Sequence, residues 1–178
     1  GIPADMDAIL SIAERHSLRV IEDCAQAQGS TLNGKPTGSQ GHIACFSIGS
    51  GKNLAAGDGG MLVTDDRNLF DRCLLAGMHP GRVNKQVTTP DIKEQVDSLI
   101  YTYRINTFTA AIAYRQLDRL EAMNDWRRKN ANRLREVLHD MPGIRPCGLQ
   151  TGADPAWHMV PWTFVADEVP GVTRQQYI

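Results

Sequence analysis

The most informative part of this chain is the stretch Ala44-Cys-Phe-Ser-Ile-Gly-Ser-Gly-Lys-Asn-Leu-Ala-Ala-Gly-Asp-Gly-Gly60. It places Lys52 in a glycine-rich turn between two short apolar runs, Ile43–Ser47 and Gly60–Thr64. Short apolar runs bounded by glycine are typical of buried strands. Because a turn can hold an amine over a pocket, this setting suits a lysine that acts as a nucleophile.

Helix and strand patterns alternate on the N-terminal side of this stretch, which predicts an α/β fold. A helix is predicted to end near His16, because apolar residues recur at helical spacing before it. Arg19–Glu22 then reads as a buried strand with Asp23 at its C-terminal end. Asn33-Gly34 is a strong signal for a tight hairpin turn.

The C-terminal half is predicted to be more helical. Asp65-Asp66 can cap a helix, and Gly77–Leu99 reads as a long loop with a short helix in it. Two further helices are predicted, Thr107–Met123 and Trp126–Met141, with Pro142-Gly143 as the stop signal. Met159–Val165 is a candidate strand in which Pro161 favours an edge position.

Composition favours an ordinary soluble protein. Of the 178 residues 42% are hydrophobic, and the net charge of −1 gives no sign of a nucleic-acid partner or of an anionic membrane surface. No apolar run approaches the length of a membrane span. The four cysteines are scattered without metal-type spacing, so we expect reduced thiols and a cytoplasmic protein. The chain neither begins with Met nor completes the helix that Thr173 would cap, so we expect an internal fragment of a longer enzyme.

A phosphate-binding P-loop is the first alternative for the glycine-rich turn. That motif requires a glycine five positions before its second glycine, and a serine or threonine after its lysine. This chain has Phe46 and Asn53 at those two positions. A nucleoside-triphosphate site of this kind is therefore not predicted.

A site for pyridoxal phosphate agrees better with the residues around the turn. That cofactor needs a lysine for its aldehyde, an acid for its pyridine nitrogen and donors for its phosphate. Lys52, Asp23 and Ser47 supply one group of each kind. Asp23 also falls at the C-terminal end of a predicted strand, where open α/β sheets bind ligands.

Four motifs together resemble the DegT/DnrJ/EryC1/StrS family of pyridoxal-phosphate-dependent sugar aminotransferases. They are Ile21-Glu-Asp-Cys-Ala-Gln-Ala-Gln-Gly29, Gly34-Lys-Pro-Thr-Gly-Ser-Gln-Gly41, Cys45-Phe-Ser through Lys52-Asn-Leu, and Gly57-Asp-Gly-Gly-Met-Leu-Val-Thr-Asp65. The resemblance covers nearly the whole chain and fades after about Gly148. It implies fold type I, that of aspartate aminotransferase: residues 1–148 would be part of a three-layer α/β/α large domain with a mixed sheet. Residues 149–178 would begin a smaller C-terminal α+β subdomain.

The resemblance also implies roles for individual residues. Lys52 matches the Schiff-base lysine, and Asp23 matches the acid that binds the pyridine nitrogen. Gln26 matches a residue beside the cofactor ring, and Ser47 the serine that binds the phosphate. Thr102 stands where the family usually has an asparagine that reaches the phosphate in the neighbouring subunit. No metal ligand is implied.

The resemblance implies the following function. Lys52 would hold pyridoxal phosphate as an internal aldimine, and an amino group would pass from glutamate or glutamine to a keto-sugar nucleotide or a cyclitol. Such reactions serve polysaccharide or antibiotic biosynthesis, and the family forms homodimers with the active site at the interface. The family's N-terminal third, with a second phosphate-binding loop and a ring-stacking aromatic residue, has no counterpart here. We therefore expect the isolated fragment to be inactive.

Departures from the family pattern keep two other functions open. Thr102, Asp58 and the Gly49-Ser-Gly turn are unusual, which leaves a non-catalytic binding or regulatory relative as one alternative. A sugar dehydratase or epimerase that uses the same cofactor is the other. Members of the family that dehydrate sugars carry histidine at the lysine position, so Lys52 argues against the dehydratase.

Several candidates also have structural interpretations. Asp23 could cap the helix that follows its strand. Ser47 alone is an ordinary strand residue, and Gln26 fits a structural hydrogen bond as well as a site. His79 could touch substrate or lie in an exposed turn. The basic run Arg127-Arg-Lys is typical of a solvated helix face.

Overall fold

The computed structural model describes residues 1–77, 80–95 and 101–178. Helix and strands alternate in the N-terminal part, as the sequence predicts. In chain order these elements are α1 (Met6–Arg15), β1 (Ile21–Asp23), β2 (Thr31–Leu32), β3 (Lys35–Pro36), β4 (Ile43–Ser47) and β5 (Gly60–Val63).

The rest of the described chain is mainly helical and ends in short strands. Its elements are α2 (Arg67–Gly77), α3 (Pro80–Gln86), α4 (Pro90–Lys93), α5 (Thr107–Val137), β6 (Ile144–Pro146), β7 (Ala153–Asp154), β8 (Trp162–Phe164), a 3-10 turn (Ala166–Glu168) and α6 (Arg174–Tyr177). Within these residues no helix is both long and apolar enough to cross a bilayer.

A three-stranded mixed sheet positions the candidate site. The strand order is β1-β4-β5, with β1 parallel and β5 antiparallel to β4. Asp23 pairs with Cys45 in the register, and Ser47 pairs with Gly60. The C-terminal ends of the two parallel strands therefore lie at the same edge. This arrangement confirms the predicted α/β class with a mixed sheet.

The first helix forms for the reasons that the sequence suggests. Asp5 caps it, since its carboxylate accepts a hydrogen bond from the Ala8 amide at 3.1 Å. Met6 and Ala13 face inward and are buried. The helix ends before Ser17, which adopts a left-handed φ of 52°.

A second sheet brings the C-terminal residues beside the predicted hairpin. Asn33 and Gly34 both have positive φ, 51° and 76°, as the tight turn between β2 and β3 requires. The other neighbour of β2 is β7, which pairs Asp154 with Thr31. Residues on both sides of position 148 thus share one sheet, and the domain boundary stays a prediction.

Helices α2, α3 and α4 share a small apolar cluster formed by Leu74, Val83, Val87 and Ile92. Inside the predicted loop Gly77–Leu99, the described residues thus form two short helices rather than one. His79 lies outside the described residues.

One long helix, α5, replaces the two helices that the sequence predicts over Thr107–Met123 and Trp126–Met141. The predicted break at Asn124-Asp125 is wrong. Asparagine and aspartate interrupt helices when their side chains compete for nearby backbone groups. Asn124 is instead fully buried and bonded to residues far away in the sequence. Asp125 pairs with Arg128 one turn later at 2.9 Å, so neither residue stops the helix.

Candidate functional site

Asp23 lies directly at the C-terminal end of β1, at the sheet edge shared with β4. Its side chain is exposed, and its Oδ1 atom accepts a hydrogen bond from the Ala25 amide at 3.0 Å. This local bond orients the carboxylate without burying it. Among the described residues no hydrogen bond reaches the carboxylate's other oxygen, and Asp23 itself lies at the edge where open α/β sheets bind ligands.

Ser47 ends the neighbouring strand β4, two residues beyond the partner of Asp23. Its hydroxyl accepts a hydrogen bond from the Gly49 amide at 3.4 Å and is partly exposed. Strand pairing at about 4.8 Å brings Ser47 and Asp23 to the same edge. The structure therefore places these two predicted site residues together.

Lys52 lies in a loop that closes on itself just beyond β4. Its amide donates to the Gly49 carbonyl at 3.0 Å, and the Ile48 amide donates to the Gly59 carbonyl at 3.0 Å. Ile48, Leu54 and Ala56 are buried and pack with Ala113 of α5. The loop is thus anchored by apolar side chains on both sides of Lys52, whose own side chain is partly exposed.

Three buried amide side chains support this loop, and sequence analysis missed all three. The amide relay consists of Gln28, Asn53 and Asn124. Asn53 Nδ2 donates to Asn124 Oδ1 at 3.1 Å and to the Ala156 carbonyl at 2.9 Å. Asn124 Nδ2 donates to the Gln28 carbonyl at 2.8 Å, and Gln28 Nε2 donates to the Ser47 carbonyl.

A signal for the relay is present in the sequence. Asn124 continues the helical stripe of Ala113, Leu117 and Leu120 at spacings of three and four residues. A polar residue on a face expected to be buried implies a buried hydrogen-bond partner. The sequence does not identify that partner.

His158 is a second unforeseen neighbour of Lys52. Its Nδ1 atom lies 3.2 Å from Asn53 Oδ1. Burial lowers the pKa of the His158 imidazole, and the charges of Lys52 and Arg127 lower it further. The preceding Trp157 is buried with a left-handed φ of 45°, and the Arg135 guanidinium lies over its ring at 5.5 Å.

Glu22 gives the Gly34–Gly41 motif a structural explanation. This buried carboxylate accepts hydrogen bonds from the amides of Gly38 and Gln40, both at 2.8 Å, and from the Gly41 amide. A Cβ atom at Gly38 would lie 2.5 Å from the Phe46 ring. The motif therefore holds a tight loop against the sheet on which the site is built.

Gln26 and Thr102 are not joined to the other candidates by any hydrogen bond within the described residues. Gln26 is partly exposed and lies in the turn after Asp23. Thr102 is exposed in a segment whose neighbours Tyr101 and Tyr103 donate to the carbonyls of Ala76 and Gly77, at 3.0 and 2.7 Å. The roles assigned to these two residues stay predictions.

The donor set at this edge fits pyridoxal phosphate. A carboxylate and a hydroxyl lie at the ends of two paired strands, and the anchored loop that carries the Lys52 amine follows the second strand directly. Nearby Cys24 is a poor competitor for an aldehyde, because burial, followed by the charges of Glu22 and Asp23, raises the pKa of its thiol to about 12. Nowhere in residues 1–77, 80–95 and 101–178 do three or more metal-ligating side chains cluster.

Comparison with known proteins relates the chain to sugar-modifying enzymes. It is 35% identical over 182 residues to spore coat polysaccharide biosynthesis protein SpsC of Bacillus subtilis, an alignment that covers all of this chain and 46% of SpsC. It is 44% identical over 139 residues to the UDP-N-acetyl-3-dehydro-α-D-glucosamine 3-aminotransferase of Acidithiobacillus ferrooxidans, covering 78% of this chain and 35% of that protein. The chain therefore spans less than half the length of these relatives.

A solved structure shares the fold. The GDP-4-keto-6-deoxy-D-mannose-3-dehydratase of E. coli, with bound hydrated PLP, superimposes with a TM-score of 0.81 at 26% identity. That match covers 99% of this chain and 47% of the dehydratase chain. Solved aminotransferases superimpose as well, so the partial α/β domain has the aminotransferase fold.

The family assignment rests on nearly the full length of the chain. Three observations agree with this assignment: the sheet edge with Asp23 and Ser47, the anchored Lys52 loop and the similarity to the relatives. The model of one family matches residues 1–176. The chain belongs to the DegT/DnrJ/EryC1/StrS aminotransferase family.

Proposed function

We propose that the complete protein is a pyridoxal-phosphate-dependent aminotransferase that acts on a keto-sugar nucleotide or a cyclitol, with glutamate or glutamine as amino donor. The observation that carries this proposal is the convergence of Asp23, Ser47 and the Lys52 loop at one sheet edge. The similarity to a sugar-nucleotide 3-aminotransferase supports the substrate class.

Each residue at the edge would have a separate task. When bound, pyridoxal phosphate supplies an electron sink for the substrate carbon next to nitrogen. Asp23 would hold a proton on the pyridine nitrogen, and the Ser47 hydroxyl would donate to a phosphate oxygen. Lys52 would bind the aldehyde carbon and, once released, would move a proton as a general base.

The remaining predicted residues complete this assignment. Gln26 would lie beside the cofactor ring. Thr102 would reach the phosphate bound by the neighbouring subunit of a homodimer, where its hydroxyl replaces a longer amide. Four free cysteines in the described residues agree with a reducing compartment, and we propose that the protein acts in the cytoplasm.

Replacing Lys52 by alanine tests the proposal in the complete protein. Lys52→Ala should abolish the absorbance band of covalently held pyridoxal phosphate and reduce transamination by orders of magnitude, because no other group supplies the amine. The matched control is Lys93→Ala, which removes an exposed lysine of α4. The contrary result would be that folded Lys52→Ala keeps the absorbance band of covalently held cofactor and loses it on denaturation. That result would exclude Lys52 as the residue that holds the cofactor.

Dehydration of a keto-sugar is the second candidate function. The structural match to the E. coli dehydratase supports it. Product analysis distinguishes the two, since a transaminase consumes the amino donor and yields an amino sugar, whereas a dehydratase yields a deoxy sugar. A relative that binds the cofactor without converting either substrate would be the regulatory alternative.

A further inference from the structure

Gln28 lies between the two strand ends of the candidate site. It is only 3% exposed, and its Nε2 atom donates hydrogen bonds to the Ser47 carbonyl and, at 3.3 Å, to the Ala25 carbonyl. The Ala25 amide in turn donates to Asp23 Oδ1 at 3.0 Å. The side chain of Gln28 thus joins the turn that orients Asp23 to the end of β4 that carries Ser47.

The need for this donor follows from the place where β1 ends. The Cys24 amide donates to the Cys45 carbonyl at 2.8 Å, and the chain then turns at residues 25 and 26. Successive carbonyls of a strand point to alternate sides, so the Ser47 carbonyl faces the same side as the Cys45 carbonyl. The Gln28 side chain therefore supplies the donor that a longer β1 would have supplied from its backbone.

The two carbonyls also fix the orientation of the Gln28 amide. Both can only accept, so Nε2 must face them. The opposite atom, Oε1, is buried and has no hydrogen-bond partner among the described residues. Because a buried acceptor without a partner is unfavourable, the contribution of this side chain comes through Nε2. The backbone is held as well, since the Gln28 carbonyl accepts from Asn124 Nδ2 at 2.8 Å.

We propose that Gln28 is a positioning residue of the cofactor site: its amide holds the end of β4 so that the Ser47 hydroxyl can donate to the phosphate of pyridoxal phosphate. The proposal rests on the function proposed above for Ser47. On its other side Ser47 pairs with Gly60 of β5, so the bond from Gln28 completes the support of this residue. A donor that is held in place before the ligand arrives loses less freedom on binding, which raises affinity.

Two forms of the cofactor test this role in the complete protein. Pyridoxal phosphate and pyridoxal share the ring and the aldehyde, but only the first carries a phosphate. Gln28→Met nearly keeps the size of the side chain and removes its donor. We expect it to weaken the binding of pyridoxal phosphate by about 10-fold, as for one lost hydrogen bond, and that of pyridoxal by less than about 2-fold. Fluorescence titration of the cofactor-free protein measures both affinities.

A double-mutant cycle shows whether the effect passes through Ser47. Ser47→Ala should itself weaken the binding of pyridoxal phosphate, and the further change Gln28→Met should then cost less than about 3-fold. Gln28→Asn keeps the amide but shortens the side chain by one methylene group, so it should reproduce the phosphate-specific loss. Gln175→Met, an exposed change in α6, is the matched control and should leave both affinities unchanged. Circular dichroism checks that each variant is folded.

Three results would overturn the proposal. The first is an equal loss for pyridoxal phosphate and pyridoxal, because a loosened fold affects both. The second is an unchanged affinity for pyridoxal phosphate in folded Gln28→Met or Gln28→Asn. The third is the same loss from Gln28→Met with and without the Ser47 hydroxyl.

The same titrations separate this proposal from the proposed function. If Ser47→Ala binds pyridoxal phosphate weakly and Gln28→Met binds it normally, only the role of Gln28 is excluded. If Ser47→Ala binds it as tightly as the unsubstituted protein, the proposed task of Ser47 is excluded together with that of Gln28. If the complete protein binds neither form of the cofactor, the proposed function itself is excluded, and the role of Gln28 with it.

Discussion

At the scale of single residues, Lys52 and Asn53 are neighbours in the chain with different roles: Lys52 is the proposed reactive residue, and Asn53 holds the loop in place. Lys52 is partly exposed, as an amine that meets a ligand must be, whereas Asn53 is only 3% exposed. Asn53 joins the loop to α5 through Asn124 and to the segment before β8 through Ala156 and His158. The position of Lys52 thus depends on a buried amide whose partners come from two distant parts of the chain.

Replacing Asn53 should therefore destabilise the protein. Asn53→Leu leaves the Ala156 carbonyl and Asn124 Oδ1 buried without a donor, at a cost of about 1–3 kcal/mol in the free energy of unfolding. Urea denaturation followed by circular dichroism measures this cost. Ser50→Ala, an exposed change in the same loop, should leave the midpoint unchanged. Equal midpoints for Asn53→Leu and the unsubstituted protein would show that the relay does not stabilise the fold.

Sequence reasoning reached Asp23, Ser47 and Lys52 because their signals are local. A strand end and a glycine-rich turn are readable without knowing the fold, and the family resemblance adds the five-residue spacing of Ser47 and Lys52. Asn53 could not be assigned in this way. Its hydrogen-bond partners Asn124 and His158 are 71 and 105 residues away, and only tertiary structure brings them together.

At the scale of secondary-structure elements, α5 shows how tertiary contacts override local preference. Its centre contains Asn124 and Asp125, two residue types with low helix propensity, which favour a break when propensity alone is considered. The helix stays continuous because Asn124 bonds to Asn53 and to Gln28 rather than to its own backbone. The strands β1 and β4 were predicted, because apolar runs and turn signals mark them, whereas their parallel pairing is seen only in the structure.

The start of α5 depends on a conventional cap. Asn106 Oδ1 accepts a hydrogen bond from the Phe108 amide at 2.8 Å. Asn106→Ala should lower the free energy of unfolding by about 0.5–2 kcal/mol, since the amide loses its partner. Asn106→Asp preserves the acceptor and is the matched control. Thermal denaturation of both variants checks the prediction, and an alanine variant as stable as the aspartate variant would contradict it.

At the scale of the whole molecule, the central sheet carries exposed apolar side chains, and the prediction that β1 is a buried strand holds only for Glu22. Ile21 of β1 is 66% exposed, and Met61, Leu62 and Val63 of β5 are also exposed. Two apolar clusters pack within the described residues, and buried polar side chains also join the elements. Asp71 is one charged example beside Glu22, and it links α2 to the segment between α3 and α4.

Asp71 is fully buried and bonded on several sides. Its Oδ2 atom accepts hydrogen bonds from the Thr89 amide and hydroxyl, both at 2.8 Å, and from the Thr88 amide at 3.0 Å. Arg67 lies 2.7 Å from its other oxygen. Burial alone would raise the pKa of this carboxyl, but the bonds from Thr89, Thr88 and Arg67 outweigh it and hold the pKa well below its usual range.

The pH dependence of unfolding follows from that direction. A carboxyl whose pKa is lower in the folded than in the unfolded state stabilises the fold fully above its unfolded value, about 3.9, and this contribution is lost as the pH falls toward the folded value.

Asp71→Asn should thus cost about 1–3 kcal/mol in the free energy of unfolding at neutral pH, because its amide nitrogen would face Arg67. The difference from the unsubstituted protein should narrow below about pH 4, because the Asp71 carboxyl then takes up a proton in the unfolded state while it stays ionised in the folded state. Urea titrations across this range measure the difference, with Asp91→Asn as the exposed control. A difference that stays constant across that range would show that the charge of Asp71 does not stabilise the fold.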